Sequence, residues 1–288
     1  MEGITEVLSG VIENAQKANS PVAGDYIGPD GLLYCGKCHT PKQTYIQGSF
    51  TDGRKLKVFA MCECAASEER EHRRIEQEQR RQEKIKRLRG ICFAGTRERL
   101  ASATFENDDG ANTGIVEAAK RYVESFEKML ANGQGLLLFG DVGRGKSYIA
   151  ACIANALIDK SIPVLMTSFS RIVSQLQKKF EERDSYFEWL NDFPLLIIDD
   201  FGAERTSEYM QEIVYTVIDN RYTAGRPMII TTNLNVEEIK VIKESDIYHK
   251  RVFGRINECC CGIEVKGDNR RESLARNNFR ETRSLLGI

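Results

Sequence analysis

Leu136-Leu137-Leu138-Phe139-Gly140-Asp141-Val142-Gly143-Arg144-Gly145-Lys146-Ser147 is the stretch on which the reading of this chain turns. Its first four residues are a short, fully apolar run, the text of a strand buried on both faces. The octet 140–147 fits G-x-x-x-x-G-K-[ST], and Tyr148–Asp159 after it has a helical pattern. In that setting the glycines let the backbone curl until successive N–H groups point inward at phosphate oxygens. The helix that follows turns its positive end to the same anion. Lys146 is placed to neutralise the β- and γ-phosphates, and the Ser147 hydroxyl to ligate Mg²⁺.

Further apolar runs lie downstream at Pro163-Val164-Leu165-Met166, Leu195-Leu196-Ile197-Ile198 and Met228-Ile229-Ile230-Thr231, with helical text between them, as at Glu208–Asn220. Strand–helix alternation of this kind predicts an α/β domain with a parallel sheet. The run 195–198 ends in Asp199-Asp200, which puts two carboxylates at the sheet's C-terminal edge, beside the phosphate loop. Asp199 is expected to hold Mg²⁺ through water, and Asp200 to orient and polarise an attacking water. The run 229–231 ends in Thr232-Asn233, and Asn233 can reach a γ-phosphate and that water. The spatial order of these strands is not legible in the sequence.

Toward the N-terminus the text changes. Cys35-Gly36-Lys37-Cys38 is followed after 23 residues by Cys62-Glu63-Cys64. Two thiolates separated by two residues can grip one ion, and four thiolates favour tetrahedral Zn²⁺, although the second pair is C-x-C. His39 could replace one cysteine, but it sits directly beside Cys38. So small a unit, poor in apolar side chains, needs such a staple. Strand-like text runs over 55–60, and Ile4, Val7, Leu8, Val11 and Ile12 share one face of an N-terminal helical pattern. Residues 67–90 are charged and mixed in sign, with Glu69/Arg73, Glu76/Arg80 and Glu83/Arg87 four apart, acid first. This supports a solvated helical connector, with a DNA-contacting helix as the other reading. The expected organisation is a zinc-binding, partner-binding domain at 1–66, a charged helical linker at 67–97 and a nucleotide domain at 98–288. Cys259-Cys260-Cys261 cannot easily share one ion, and is read as packing ahead of a strand Ile263-Glu264-Val265.

The 41 basic and 42 acidic residues leave a net charge of −1, so any basic surface is local. The chain starts without a signal-peptide pattern, and its apolar runs are far shorter than a bilayer requires. A soluble, cytoplasmic protein without a membrane partner is expected. In that reducing compartment the nine cysteines should not form disulfides.

The loop 136–147, the stretch Leu195–Arg205 and the strand Ile229–Leu234 together resemble the DnaC/DnaI replicative helicase loaders, AAA+ ATPases. They also resemble the IstB-type transposition helpers, and the likeness covers roughly residues 98–275. It implies an AAA+ P-loop sheet flanked by helices, in which another strand is inserted between the phosphate-loop strand and the acid-pair strand. It implies ATP, Mg²⁺ and Zn²⁺ as cofactors, with Gly140 to Ser147 (including Asp141, Val142, Gly143, Arg144 and Gly145) around the nucleotide. Asn233 becomes the sensor-1 residue. The acid pair is Asp-Asp where many AAA+ proteins have Asp-Glu, so the water must sit closer and hydrolysis should be slow or partner-dependent. His249–Arg255 resembles the family's arginine box, making Arg255, or else Arg251, the finger that reaches a neighbouring subunit. Gly267–Arg271 resembles the sensor-2 segment, making Arg271, or else Arg270, the candidate.

The implied partners are a DnaB-like replicative DNA helicase, single-stranded DNA and further copies of the chain. An N-terminal zinc module favours a loader over a transposase regulator. An adaptor that binds ATP without turnover is a third reading. For DNA, Thr167–Arg171 with Lys178 and Lys179 offers hydroxyls, an aromatic ring and charge. The same segment also reads as an ordinary amphipathic helix through Ile172, Val173 and Leu176.

Overall fold

The computed structural model describes residues 21–47, 55–96, 98–107, 113–178, 180–202, 207–245 and 247–288. The helical pattern at Ile4–Ile12 and Lys179 lie outside the described residues. The chain forms two compact units, 1–82 and 83–288.

In the first unit, β1 (Tyr26–Ile27) pairs antiparallel with β2 (Leu33–Tyr34), and β3 (Gln43–Gln47) with β4 (Lys55–Phe59). The turn Gly28-Pro29-Asp30-Gly31 joins the first pair. Asp30 accepts from Leu32 N–H, and Gly31 takes the left-handed φ of +74° that a side chain resists. Helix α1 (Glu63–Cys92) then begins. Its solvated part is held by its own charges: Glu69–Arg73 forms at 2.8 Å as spaced, and Glu71–Arg74 at 2.8 Å. The units divide within this helix, between Gln82 and Glu83. Its last ten residues, counted as the second unit's, are no longer purely solvated: Ile85 and Cys92 are buried in that unit's core. Arg89 there pairs with Asp159 at 2.5 Å.

The second unit continues with α2 (Glu98–Ala101), α3 (Thr113–Glu124), α4 (Phe126–Ala131), β5 (Gly135–Phe139), α5 (Lys146–Asp159), β6 (Val164–Thr167), α6 (Phe169–Lys178) and α7 (Arg183–Asp192). It ends with β7 (Leu195–Phe201), α8 (Glu208–Thr223), β8 (Met228–Thr232), α9 (Val236–Ser245), α10 (Ile247–Cys259), β9 (Cys260–Glu264) and α11 (Arg270–Leu286). All pairings of the five-stranded sheet are parallel, in the order β6-β7-β8-β5-β9. Thus β8 is the strand inserted between the phosphate-loop strand and the acid-pair strand.

Strand residues alternate between two cores, as the two-residue period of a strand demands. Leu138, Leu195, Ile197 and Ile229 join the cluster that contains α5 residues such as Ile149 and Ile153. Leu137, Leu196, Ile198 and Ile230 join the one that contains Ile213 of α8 and Phe253 of α10. Each such side chain contributes about 1.5–3 kcal/mol. At the opposite end of the sheet from the acid pair, the Arg221 guanidinium is 1% exposed. It donates to the carbonyls of Asn191, Phe193, Pro194 and Pro227, and burial pushes its pKa down to about 9.

One expectation needs correction. The last strand begins at Cys260, not at Ile263, because β9 pairs with β5 from Gly135↔Cys260 onward. Cys260 and Cys261 therefore lie within the strand, the first buried and the second exposed. All nine cysteines are free thiols.

Candidate nucleotide and metal sites

The C-terminal ends of β5, β6, β7 and β8 converge on a cavity of about 340 Å³, lined by Lys146, Ser147, Asp199, Asp200, Asn233 and Arg271 among others. Gly143 (φ +83°) and Gly145 (φ +97°) shape the loop at its floor. A Cβ on Gly143 would run into the Asn269 carboxamide. Lys146 Nζ donates to the carbonyls of Gly140 and Asp141, each at 2.7 Å, so its ammonium sits across the loop mouth. Burial lowers the pKa of Lys146, and the nearby Asp200 opposes that shift.

The start of α11 sits directly on this loop. Arg270 N–H donates to Gly143 O at 3.0 Å, and Arg144 donates to Gly267 O. Asn269 caps the helix, accepting from Arg271 N–H at 3.1 Å. Both sensor-2 candidates, Arg270 and Arg271, line the cavity. Across from the loop, Asn233 Nδ2 donates to Asp200 Oδ1 at 2.7 Å, which joins the two residues expected to handle water. Asp199, half-buried, accepts from the Thr231 hydroxyl at 2.7 Å.

The finger candidates lie elsewhere. Arg251 and Arg255 are on α10 and neither lines the cavity. Arg255 is engaged within its own chain, by Asp219 at 2.6 Å and the Tyr215 hydroxyl at 2.9 Å, with its guanidinium over the Tyr215 ring. Arg251 is exposed.

The segment considered for DNA is mostly otherwise employed. Phe169 is fully buried, so its ring offers no face to a base, because it anchors α6 to the sheet. Arg171 donates to the carbonyls of Ala94 and Gly95, fastening the turn that follows α1. Ser168 and Ser170 line the cavity, and Lys178 is exposed.

Sequence reasoning missed two positions. Asn155 is buried, accepts from Arg89 Nε at 3.2 Å and donates to Ala103 O at 3.0 Å, tying the segment before α3 to α5. Thr231 reads in the sequence only as strand text. A polar residue in an otherwise apolar helix or strand is the signal that marks both.

In the first unit the Sγ atoms of Cys35, Cys38, Cys62 and Cys64 all lie within 4.8 Å of one another. A tetrahedral four-thiolate zinc, with Zn–S about 2.3 Å, sets its sulfurs about 3.8 Å apart, so the donor set fits. The Thr40 hydroxyl beside Cys38, with backbone N–H groups, pulls that thiol down to about 5. Hydrogen bonds to Cys62 and Cys35 push Cys64 up to about 12. Four thiols so close cannot all ionise unaided, whereas a dication among them permits it. Asp25 braces the turn: its carboxylate accepts from Gly36 N–H at 3.0 Å and from the buried Lys42 at 2.6 Å, which holds its pKa down to about 2. His39 lies against Tyr26, 3.3 Å from its hydroxyl, outside the sulfur cluster.

Residues 54–277 match the family model described as IstB-like ATP binding protein. The chain is 22% identical to the replicative helicase loader DnaI of Bacillus subtilis, over 83% of this chain and 78% of DnaI. It is 31% identical to the replicative helicase loader DnaC of Escherichia coli, over 54% of this chain and 65% of DnaC. A crystal structure of the DnaC helicase loader superposes with a TM-score of 0.51 at 22% identity, covering 59% of this chain and all of that one. The shared fold is the AAA+ sheet with its phosphate loop. No helix among the described residues is long and apolar enough to cross a membrane.

Proposed function

We propose that this chain, which belongs to the IstB-like ATP-binding proteins, hydrolyses ATP to load a replicative DNA helicase onto single-stranded DNA, with hydrolysis coupled to the helicase's release. The observation that carries this reading is the reach of the likeness to DnaI. It covers 83% of the chain, more than the second unit contains, and so extends into the cysteine-bearing first unit.

In this reading Lys146 leaves the Gly140 and Asp141 carbonyls for the phosphates, and the loop N–H groups close around them. Ser147 and Asp199 would hold Mg²⁺, which would offset phosphate charge. Asp200 accepts a proton from the attacking water, while Asn233, already bonded to Asp200, orients that water and the γ-phosphate. Arg271, with Arg270 beside it, meets the phosphates from the α11 side. Copies of the chain associate through the second unit, and an arginine of α10 completes the neighbour's site. Arg251 is the freer candidate, since Arg255 must first leave Asp219. The first unit, stapled by zinc on Cys35, Cys38, Cys62 and Cys64, grips the helicase.

The test is helicase assembly on a single-stranded circle with the full chain, its cognate helicase and ATP. Lys146→Ala should abolish loading while retaining helicase capture, and Cys35→Ser/Cys38→Ser should lose capture, and loading with it, while still binding ATP. Helicase capture that survives loss of the zinc site would overturn the assignment of the first unit. Capture of a transposase in place of a helicase would replace the loader reading altogether.

A further inference from the structure

The end of β7 carries a bulge whose consequence falls on the acid pair. Strands β7 and β8 stay in register from Leu196↔Met228 to Ile198↔Ile230, and pairing resumes at Phe201↔Thr232. Asp199 and Asp200 therefore stand opposite a single residue, Thr231. Such an insertion is rare in a parallel pair, and it leaves backbone groups without ladder partners. It also drives Asp200 to φ +63°, the left-handed region that residues other than glycine seldom enter.

The Thr231 hydroxyl fills the gap. It accepts from Asp200 N–H at 2.9 Å and donates to Asp199 Oδ1 at 2.7 Å. Thr231 is 1% exposed, so no water can take over either bond without a rearrangement. One side chain thus satisfies the backbone of the strained acid and fixes the carboxylate of its neighbour. Thr232 makes an instructive contrast. Its hydroxyl donates to Phe201 O at 2.7 Å and accepts from Leu234 N–H at 3.2 Å, so it staples backbone on the far side of the bulge and touches neither acid.

We propose that Thr231 is the positioning residue of the acid pair. Through Oδ1 it fixes Asp199, leaving the other carboxylate oxygen as the one that would serve a metal ion. Through Asp200 N–H it keeps the Asp200 side chain where Asn233 meets it. Outer-shell partners of this kind are worth about 10–100-fold in metal affinity or activity. The proposal rests on the reading of the cavity as an ATP–Mg²⁺ site.

The experiment compares the full-length wild type with Thr231→Val, Thr231→Ala, Thr231→Ser and Thr232→Val. ATP turnover is titrated against Mg²⁺, and a fluorescent ATP analogue is bound with Mg²⁺ or with EDTA. Thr231→Val and Thr231→Ala should lower kcat at least about tenfold with KM little changed, and raise the Mg²⁺ midpoint several-fold. Analogue binding in EDTA should stay at the wild-type value. Thr231→Ser, which restores the hydroxyl, should return both readouts to within about threefold of wild type. Thr232→Val should lower the melting temperature and leave the Mg²⁺ midpoint in place. Wild-type kcat and Mg²⁺ midpoint in the folded Thr231→Ala protein would overturn the proposal, as would the same profile for Thr231→Ala and Thr232→Val. If the wild type shows no turnover, the hydrolysis reading fails separately. The Mg²⁺ dependence of analogue binding then still decides the role of Thr231.

Discussion

Among the described residues of the first unit, little is buried beyond Leu32, Leu33, Cys35, Cys62 and the Lys42–Asp25 pair, whereas the second unit fills both faces of a sheet with two apolar clusters. The two solve the same problem by different physics. A sheet packed on both sides offsets its chain entropy with area removed from water. A unit whose described residues bury so few side chains cannot, and needs cross-links to compensate. The contrast teaches where each is vulnerable: the first to chemistry at four sulfur atoms, the second to holes in its core.

The largest effect should come from metal. We expect about one Zn²⁺ per chain by elemental analysis, and chelation or Cys35→Ser/Cys38→Ser should unfold the first unit outright. Calorimetry should show the main transition, that of the second unit, unmoved. Freshly purified protein without zinc would break the comparison at its root. Next in size, Ile85→Ala should cost the second unit about 2–4 kcal/mol in denaturant unfolding, although Ile85 lies on a helix that starts beside Cys64. A shift in zinc retention with no loss of second-unit stability would assign that helix end to the wrong unit. Lys146→Ala should weaken ATP binding about 10–100-fold by removing phosphate neutralisation, and leave both melting and zinc content alone. Full affinity in that variant would discredit the phosphate site. The smallest effect is expected at Glu69→Gln, which breaks an exposed pair and should cost under about 0.5 kcal/mol of helix stability, less in high salt.

The features legible in the sequence are those carried by neighbours along the chain. The phosphate loop is one continuous octet, the acid pair closes one apolar run, and each cysteine pair spans a few residues. Their chemistry follows from spacing alone. What stayed hidden depends on which strand lies beside which. The place of β8 between β5 and β7 decides that Thr231 meets Asp199 and Asp200, and no local pattern encodes that adjacency. Arg171 looked like a free charge because the carbonyls it grips, at Ala94 and Gly95, lie more than seventy residues away. Phe169 looked available for the same reason: the amphipathic pattern of α6 left open which side its ring would take, and Phe201 and the sheet cover it. The stretch 67–90 reads as solvated because its few apolar residues stand among charges, yet Ile85 and Cys92, with Leu88 and Ile91 packed beside them, seat the helix end.

Arg221 bears on how the second unit breathes. Its guanidinium is buried with no carboxylate on it among the described residues, and depends on four carbonyls, from the end of α7 and from the residues just before β7 and β8. Its Nε is already without a partner, so each further acceptor lost leaves more of the charge unsolvated in a low-dielectric interior. Parting any one of the three segments strips acceptors from a cation that the other two share, so the three are coupled. Local fraying at this end of the sheet is suppressed, and the amides of β7 and β8 nearest Arg221 should exchange with solvent only through global unfolding, while those of the solvated part of α1 exchange through small local openings.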